Sequence, residues 1–297
     1  MNCYKLETGL SKEVYKITNK EDFEENIREK EKYIYKNNDG EKYGLAVCPR
    51  CDNPVIILGL YKKLKRQKPY AKHHNRSTEI AVIDKNAYLH CPYSDPNFNS
   101  RKYDKSKILP LTNFERKLYC CLRDYFDMAI HLLNEELDFY ISESFAKQLL
   151  EEFVNSYAYR NEMANIHNLP YLLLDNMGNV NLICRLIKKN TELWKYLDSR
   201  DDVILEPYNK KYDKLLSKSG FVFLQFHFYS HSISQNAGYD ATEKIKFGII
   251  DSPDVEKKRV YTKPYEINEW SFPNLCKQTE YRDQKLLDLA RDIMPEI

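Results

Sequence analysis

The chain has 297 residues, 42% hydrophobic and 30% charged, with 46 Lys and Arg against 44 Asp and Glu for a formal net charge of +2. That length and apolar fraction support packed cores, in two domains, and exclude an intrinsically disordered chain. Near-neutrality excludes a protein coated with nucleic acid over its whole surface, and eight scattered cysteines, two of them adjacent, exclude a secreted disulfide framework.

The first residues, MNCYKLETGLSKEVYK, contain no apolar signal core, and the longest apolar run, FVFLQFHFY at 221–229, is too short to span a bilayer. A cytoplasmic protein is expected, without a membrane. The 24 tyrosines, with many Lys and Asn, suggest an AT-rich coding bias of the kind found in phages and mobile elements.

In chain order, Thr18 and Glu21 form a capping box for a helix to about residue 32, with Phe23 and Ile27 inward. Residues 33–36 and 41–47 read as a hairpin turning on Asn37-Asn38-Asp39-Gly40, with Gly40 at positive φ. The hairpin delivers the chain to Cys48-Pro49-Arg50-Cys51, and an apolar strand at 54–61 follows. A two-residue spacer lets one turn present two thiolates to one ion, and zinc takes four nitrogen or sulfur ligands in a tetrahedron. The layout is that of a zinc ribbon. One structural zinc is expected, held by Cys48, Cys51, one of His73 and His74, and Cys91 or His90. The plainer alternative is free thiols beside surface histidines. A redox Cys-x-x-Cys is disfavoured because no βαβ pattern surrounds it.

Residues 60–76 hold Lys62, Lys63, Lys65, Arg66, Lys68, Lys72 and Arg76 and no acid, interleaved with Tyr61 and Tyr70. This reads as a weak, non-specific polyanion contact through Lys62, Lys63, Lys65 and Arg66, or as a solvated hairpin tip. A zinc-ribbon-like domain is expected over 1–95 and a Pro-broken linker over 96–110. An α+β domain should follow over 111–297.

In that domain, Thr112 and Glu115 form a second capping box, opening a helix to about residue 137. A partner helix over 144–159 carries the stripe Phe145, Leu149, Phe153 and Tyr157, giving a helical hairpin. Residues 168–175 are apolar and opened by Pro170, and 180–196 have helical spacing. Residues 220–230 are apolar on both faces, so they read as a central strand. Strands at 244–250 and 258–262, the last extended by 265–267, complete an antiparallel meander, and a helix at 279–293 closes the chain. The fold class is α+β.

Chemistry beyond the cysteines is sparse. A metal-dependent nuclease needs acids on adjacent strands with a nearby lysine. Asp254, Glu256 and Lys258 have the right letters but crowd into one turn, with Asp240 or Asp251 as remote partners. His227 and His231 are four apart on a strand rather than on a helix, and no Gly-rich phosphate loop or Gly-x-Ser-x-Gly occurs. The last third holds many aromatics, and more rings than one sheet face hides suggest an interface around Tyr265 and Trp270, with homo-oligomer formation.

Cys48-Pro-x-Cys51, the strand Pro54-Val-Ile-Ile-Leu and Pro69-Tyr-Ala-Lys-His73-His74 together resemble the N-terminal zinc-finger region of competence-type, CoiA-like proteins, over about 50 residues. The resemblance implies Cys48, Cys51 and His73 as ligands. In composition, size and architecture the chain is also similar to phage anti-defence proteins, including inhibitors of the Gabija complex. Together these suggest a zinc-stabilised, non-enzymatic protein that binds and inhibits a host DNA-processing or defence complex. The alternative is a nuclease or nucleic-acid-binding protein with an accessory zinc finger.

Overall fold

The structure, a computed structural model, describes the chain except residues 10–11, 29, 38, 65–67, 90, 92, 95–110, 162, 236–240 and 253–258, and except the side chains of 233–235 and 241. It divides into two compact units, Met1–Lys117 with Ile233–Thr242, and Leu118–Ser232 with Glu243–Ile297. Helices and antiparallel sheets place it in the α+β class. The expected linker over 96–110 lies outside the described residues.

The first unit is built on a sheet of β1 (Cys3–Lys5), β2 (Val14–Lys16), β3 (Ile34–Lys36), β4 (Lys42–Val47), β5 (Pro54–Leu58) and β6 (Tyr70–His73). Its order is β2-β1-β4-β5-β6, with β3 also on β4. The β3–β4 turn forms as its residues dictate: Gly40 takes φ 77° and donates its N–H to Asn37 O at 3.0 Å. Leu45, Ala46 and Val47 are buried in succession, so the end of β4 is covered on both faces. Helix α1 (Lys20–Ile27) packs Phe23 and Ile27 inward. A Cβ on Gly44 would meet Phe23 Cζ at 2.9 Å, so the glycine lets α1 lie close to β4. Two details differ from the sequence reading. The cap of α1 is Asn19, which accepts the Asp22 N–H at 2.8 Å, and the helix stops at Ile27 because Arg28 turns left-handed at φ 50°. A short helix, α2 (Lys85–Leu89), follows β6.

Helix α3 (Asn113–Asp124) opens on the expected reciprocal box: Thr112 N donates to Glu115 Oε2 at 2.6 Å, and Glu115 N to Thr112 Oγ1 at 3.2 Å. The single helix expected to residue 137 breaks at Tyr125 (φ −130°, ψ 26°) and resumes as α4 (Phe126–Glu136). Ser142 caps α5 (Glu143–Asn155), which ends before residue 159 because Tyr157 is left-handed at φ 54°, leaving its ring exposed. Helix α6 (Leu169–Asp175) carries Pro170 in its first turn, where no N–H is needed.

The helical reading of 180–196 is corrected. Cys184 and Asn190 sit at φ 70° and 64°, so the chain makes β7 (Val180–Asn181) and β8 (Leu186–Lys188) before α7 (Glu192–Asp198), capped by Thr191. β8 joins β9 (Val203–Pro207) and β10 (Tyr212–Ser217) in a three-stranded sheet of order β8-β10-β9. The meander is β11 (Gln225–Gln235), β12 (Ala241–Ile250) and β13 (Arg259–Ile267), and β7 extends it to the order β13-β12-β11-β7. β11 is central, as expected, but it begins at Gln225, five residues later than the reading of 220–230, and Phe221 is left exposed. Phe226, Phe228 and Phe247 cluster with Phe139, at ring separations of 4.9 to 6.5 Å. After α8 (Ser271–Leu275), the closing helix α9 (Gln284–Ile293) begins five residues later than expected, where Asp283 caps the Lys285 and Leu286 N–H groups.

Candidate metal centre

The β4–β5 connection is a tight knuckle. Val47 and Pro54 still pair, so residues 48–53 must reverse the chain. Cys48 N donates to Asn53 O at 2.8 Å and Asp52 N to Cys48 O at 3.1 Å, with Asp52 left-handed at φ 57°. That turn points Cys48 and Cys51 to one side. The buried ammonium of Lys5 pairs with the Asp52 carboxylate and donates to Gly9 O at 2.9 Å, fixing the outer side of the turn.

His73 ends β6, opposite Val55 in register, and Cys91 follows α2, donating its N–H to Tyr88 O at 3.1 Å. The Sγ atoms of Cys48, Cys51 and Cys91 and a ring nitrogen of His73 all lie within 4.8 Å of one another. Cys48 and Cys91 Sγ are 3.7 Å apart, and Cys51 Sγ is 3.3 Å from His73 Nε2. The three thiols are buried, and Tyr88 sets its ring edge-on to His73 at 5.1 Å.

Asn53 ties these pieces together, and nothing in the sequence marked it. Its Nδ2 donates to Cys51 Sγ at 3.3 Å and to Asp84 O at 3.1 Å, while its Oδ1 accepts the Asp84 N–H at 2.8 Å. Asp84 Oδ1 then accepts the N–H groups of Asn86 and Ala87, both at 3.0 Å, starting α2 and so positioning Cys91.

Burial opposes ionisation of all three thiols. At Cys48 it is outweighed, because hydrogen bonds from Cys51 and Cys91 and the His73 ring hold its thiol well below the ordinary value. Cys51 and Cys91 are pushed up, by burial first and then by their bonds to Cys48. A divalent cation held there would supply the positive charge that keeps the ligand thiols deprotonated. The arrangement is a Cys3His group able to hold a metal ion.

Other expected site residues fall elsewhere. His74 packs its ring 5.0 Å from Tyr35, and burial lowers its pKa; it is not among the converging groups. His90 lies outside the described residues, as do Lys65 and Arg66. Lys62 is held by Glu41 at 2.5 Å, Lys63 is exposed, and Lys20 sits 5.6 Å over the Tyr61 ring. Asp240, Asp254, Glu256 and Lys258 lie outside the described residues, and Asp251 accepts from Arg200 at 3.2 Å. Tyr265, expected at an interface, is buried against Phe228 and so presents no surface to a partner. Trp270 is half-buried, edge-on to His167 at 5.8 Å.

His231 is engaged in a way its spacing from His227 did not suggest. Ser230 at φ 52° interrupts the strand alternation. His231 Nε2 lies 2.7 Å from Glu243 Oε1 and Nδ1 3.7 Å from Asp175 Oδ2, and Asn168 Nδ2 donates to Glu243 at 2.6 Å. Burial disfavours the charge on His231, but Asp175 and Glu243 outweigh it and push the pKa up to about 9.

Among the described residues, no helix is long and apolar enough to cross a membrane. Compared with family models, curated proteins and solved structures, the chain finds no match.

Proposed function

We propose that the chain is a zinc protein in which the ion is structural, and that it acts by binding a macromolecular partner. The observation that carries the zinc reading is the convergence of Cys48, Cys51, His73 and Cys91 within 4.8 Å. Thiolates about 2.3 Å from a tetrahedral zinc stand about 3.8 Å apart, and the Cys48–Cys91 separation of 3.7 Å supports that ion. Four protein ligands leave no open position for substrate or water, which favours a structural role. Thiolate ligands suit a reducing compartment, the host cytoplasm.

The proposed partner is a host DNA-processing or antiphage defence complex, of the Gabija nuclease type. Support for it is the resemblance of residues 44–93 to the zinc-finger region of CoiA-like proteins and the phage-like composition. Elemental analysis of purified protein should give one zinc per chain, lost in Cys48→Ser and Cys91→Ser. Capture of the host complex on tagged full-length protein should fail with Cys48→Ser. Absence of zinc overturns the metal reading. Zinc without capture of such a complex overturns the partner reading, and metal-dependent DNA cleavage lost in Glu256→Ala replaces it with a nuclease.

A further inference from the structure

The outer face of the four-stranded sheet carries side chains that neither the metal centre nor the core uses. Glu243, Ile245, Phe247 and Ile249 of β12 are buried, so Lys244, Lys246 and Gly248 face the other way. The register sets Glu266, Pro264 and Thr262 of β13 beside them.

Gly248 is a glycine in mid-strand, a residue type that weakens strands unless something must approach closely. What approaches is a stack. A Cβ at Gly248 would come 2.9 Å from Tyr229 Cε1 and 3.0 Å from Arg259 Cδ. The Arg259 guanidinium lies 3.8 Å from the Tyr229 ring centroid and donates Nε–H to His227 Nε2 at 3.1 Å. The Tyr229 hydroxyl is 3.2 Å from Thr262 Oγ1. One face and one edge of the guanidinium are therefore fixed. Arg259 is exposed, and among the described residues no carboxylate pairs with it. Lys246, also exposed, has no carboxylate partner among them either, and Lys244 is 3.6 Å from Glu266. Packing accounts for a tyrosine on a glycine. It does not account for an arginine immobilised on top with no carboxylate partner among the described residues.

The geometry points to this face as a binding surface for single-stranded nucleic acid. Arg259 presents two terminal N–H groups in the fork that fits a phosphate, already oriented by Tyr229 and His227. Lys244 and Lys246 extend the positive charge along β12 in steps of about 6.8 Å, two residues of strand. Arg259 and Lys246 on an open sheet, with Lys244 beyond them beside Glu266, suit a chain of phosphates, whereas a single phosphorylated side chain would leave the lysines unused. The guanidinium plane is a platform on which an unpaired base can stack. The inference is independent of the metal reading and uses none of its residues.

The test is fluorescence anisotropy of a labelled 20-nucleotide oligo(dT) with full-length protein at 50 and 200 mM salt. Wild type should bind and weaken with salt. Each phosphate contact contributes a slope of about −0.7 for single strands, so Arg259→Gln with Lys246→Gln should shallow the slope by about 1.4 and lower affinity at least tenfold. Arg259→Lys, which keeps the charge but loses the fork and plane, should weaken binding about threefold or more at unchanged slope. Lys147→Gln with Lys277→Gln, exposed lysines away from this face, should change nothing. All substituted positions are exposed, and circular-dichroism melts establish that the variants fold. No wild-type binding at 50 mM salt, or unchanged affinity in the double variant, would overturn the assignment. So would tighter binding to a duplex of equal length, to a phosphopeptide or to anionic vesicles.

Discussion

At the scale of single residues, two side chains do more than their type announces. Asn53 donates one hydrogen bond to the Cys51 sulfur and one to the carbonyl of Asp84, the residue that starts α2, and accepts the Asp84 N–H in return. Outer partners of metal ligands typically change affinity 10- to 100-fold when removed. Asn53→Ala should therefore weaken zinc binding by about that factor in a chelator-competition titration, while His74→Ala leaves it unchanged. Equal loss in both variants would mean that the ligand set is wrongly drawn. His231 makes a separate prediction. Its folded pKa is raised, from the ordinary 6.5 to about 9, so its contribution is complete below about pH 6.5 and lost as pH climbs through about 9. A shift of that size corresponds to about 3 kcal/mol as an upper figure. Urea unfolding from pH 6 to 10 should show wild type losing stability across that window, and His231→Gln losing much less. Parallel curves would show that the imidazole is not charged in the fold.

At the scale of elements, the break between α3 and α4 is explained by what the second helix receives. Asp127, fully buried, accepts Arg282 Nε at 2.7 Å, the Asp283 N–H at 3.1 Å and the Met128 N–H at 2.9 Å. A continuous helix through Tyr125 would carry this carboxylate elsewhere and leave the start of α9 without its acceptor. Asp127→Ala should cost about 2 kcal/mol in chemical denaturation through the donors it strands. Asp288→Ala, on the exposed face of α9, should stay within about 0.5 kcal/mol. Similar values for both would detach the break from this carboxylate. The break also shows where the sequence was legible. The Thr112–Glu115 box and the Gly40 turn each follow from local chemistry, and each formed, while β11 took its central place but began five residues late. The turn that carries Cys48 and Cys51 formed as well, because a knuckle is a local object, whereas Cys91, left open against His90, is brought in by α2 from 40 residues further on. What escaped depended on distant partners or on isolated left-handed residues. Tyr125 looks helical until Arg282 is placed. Cys184 and Asn190 turn an apparently helical stretch into two strands. The hairpin of β9 and β10 is too polar to show a clear alternation, although Asn209 marks its turn by accepting the N–H groups of Lys211 and Tyr212. The choice of His73 over His74 rests on strand register, which spacing does not reveal.

At the scale of the whole molecule, the metal centre belongs to one compact unit and the aromatic core to the other. The sheet of the first unit is made of strands three to six residues long, below the size at which a small core is secure. The metal group joins the β4–β5 knuckle, the end of β6 and the residue after α2, so an ion there closes loops that hydrophobic contact alone holds loosely. The second unit relies instead on the Phe139, Phe226, Phe228 and Phe247 cluster, which contains no metal ligand. Removing the ion should consequently act on one unit. Hydrogen exchange followed with and without 1,10-phenanthroline should show amides of residues 42–94 exchanging at least tenfold faster, with 126–155 and 243–250 nearly unchanged. Calorimetry should show two transitions, only the lower one lost on chelation and restored by added zinc. A single transition that moves as a whole, with protection lost uniformly, would mean that the two units fold as one and that the ion stabilises the entire chain.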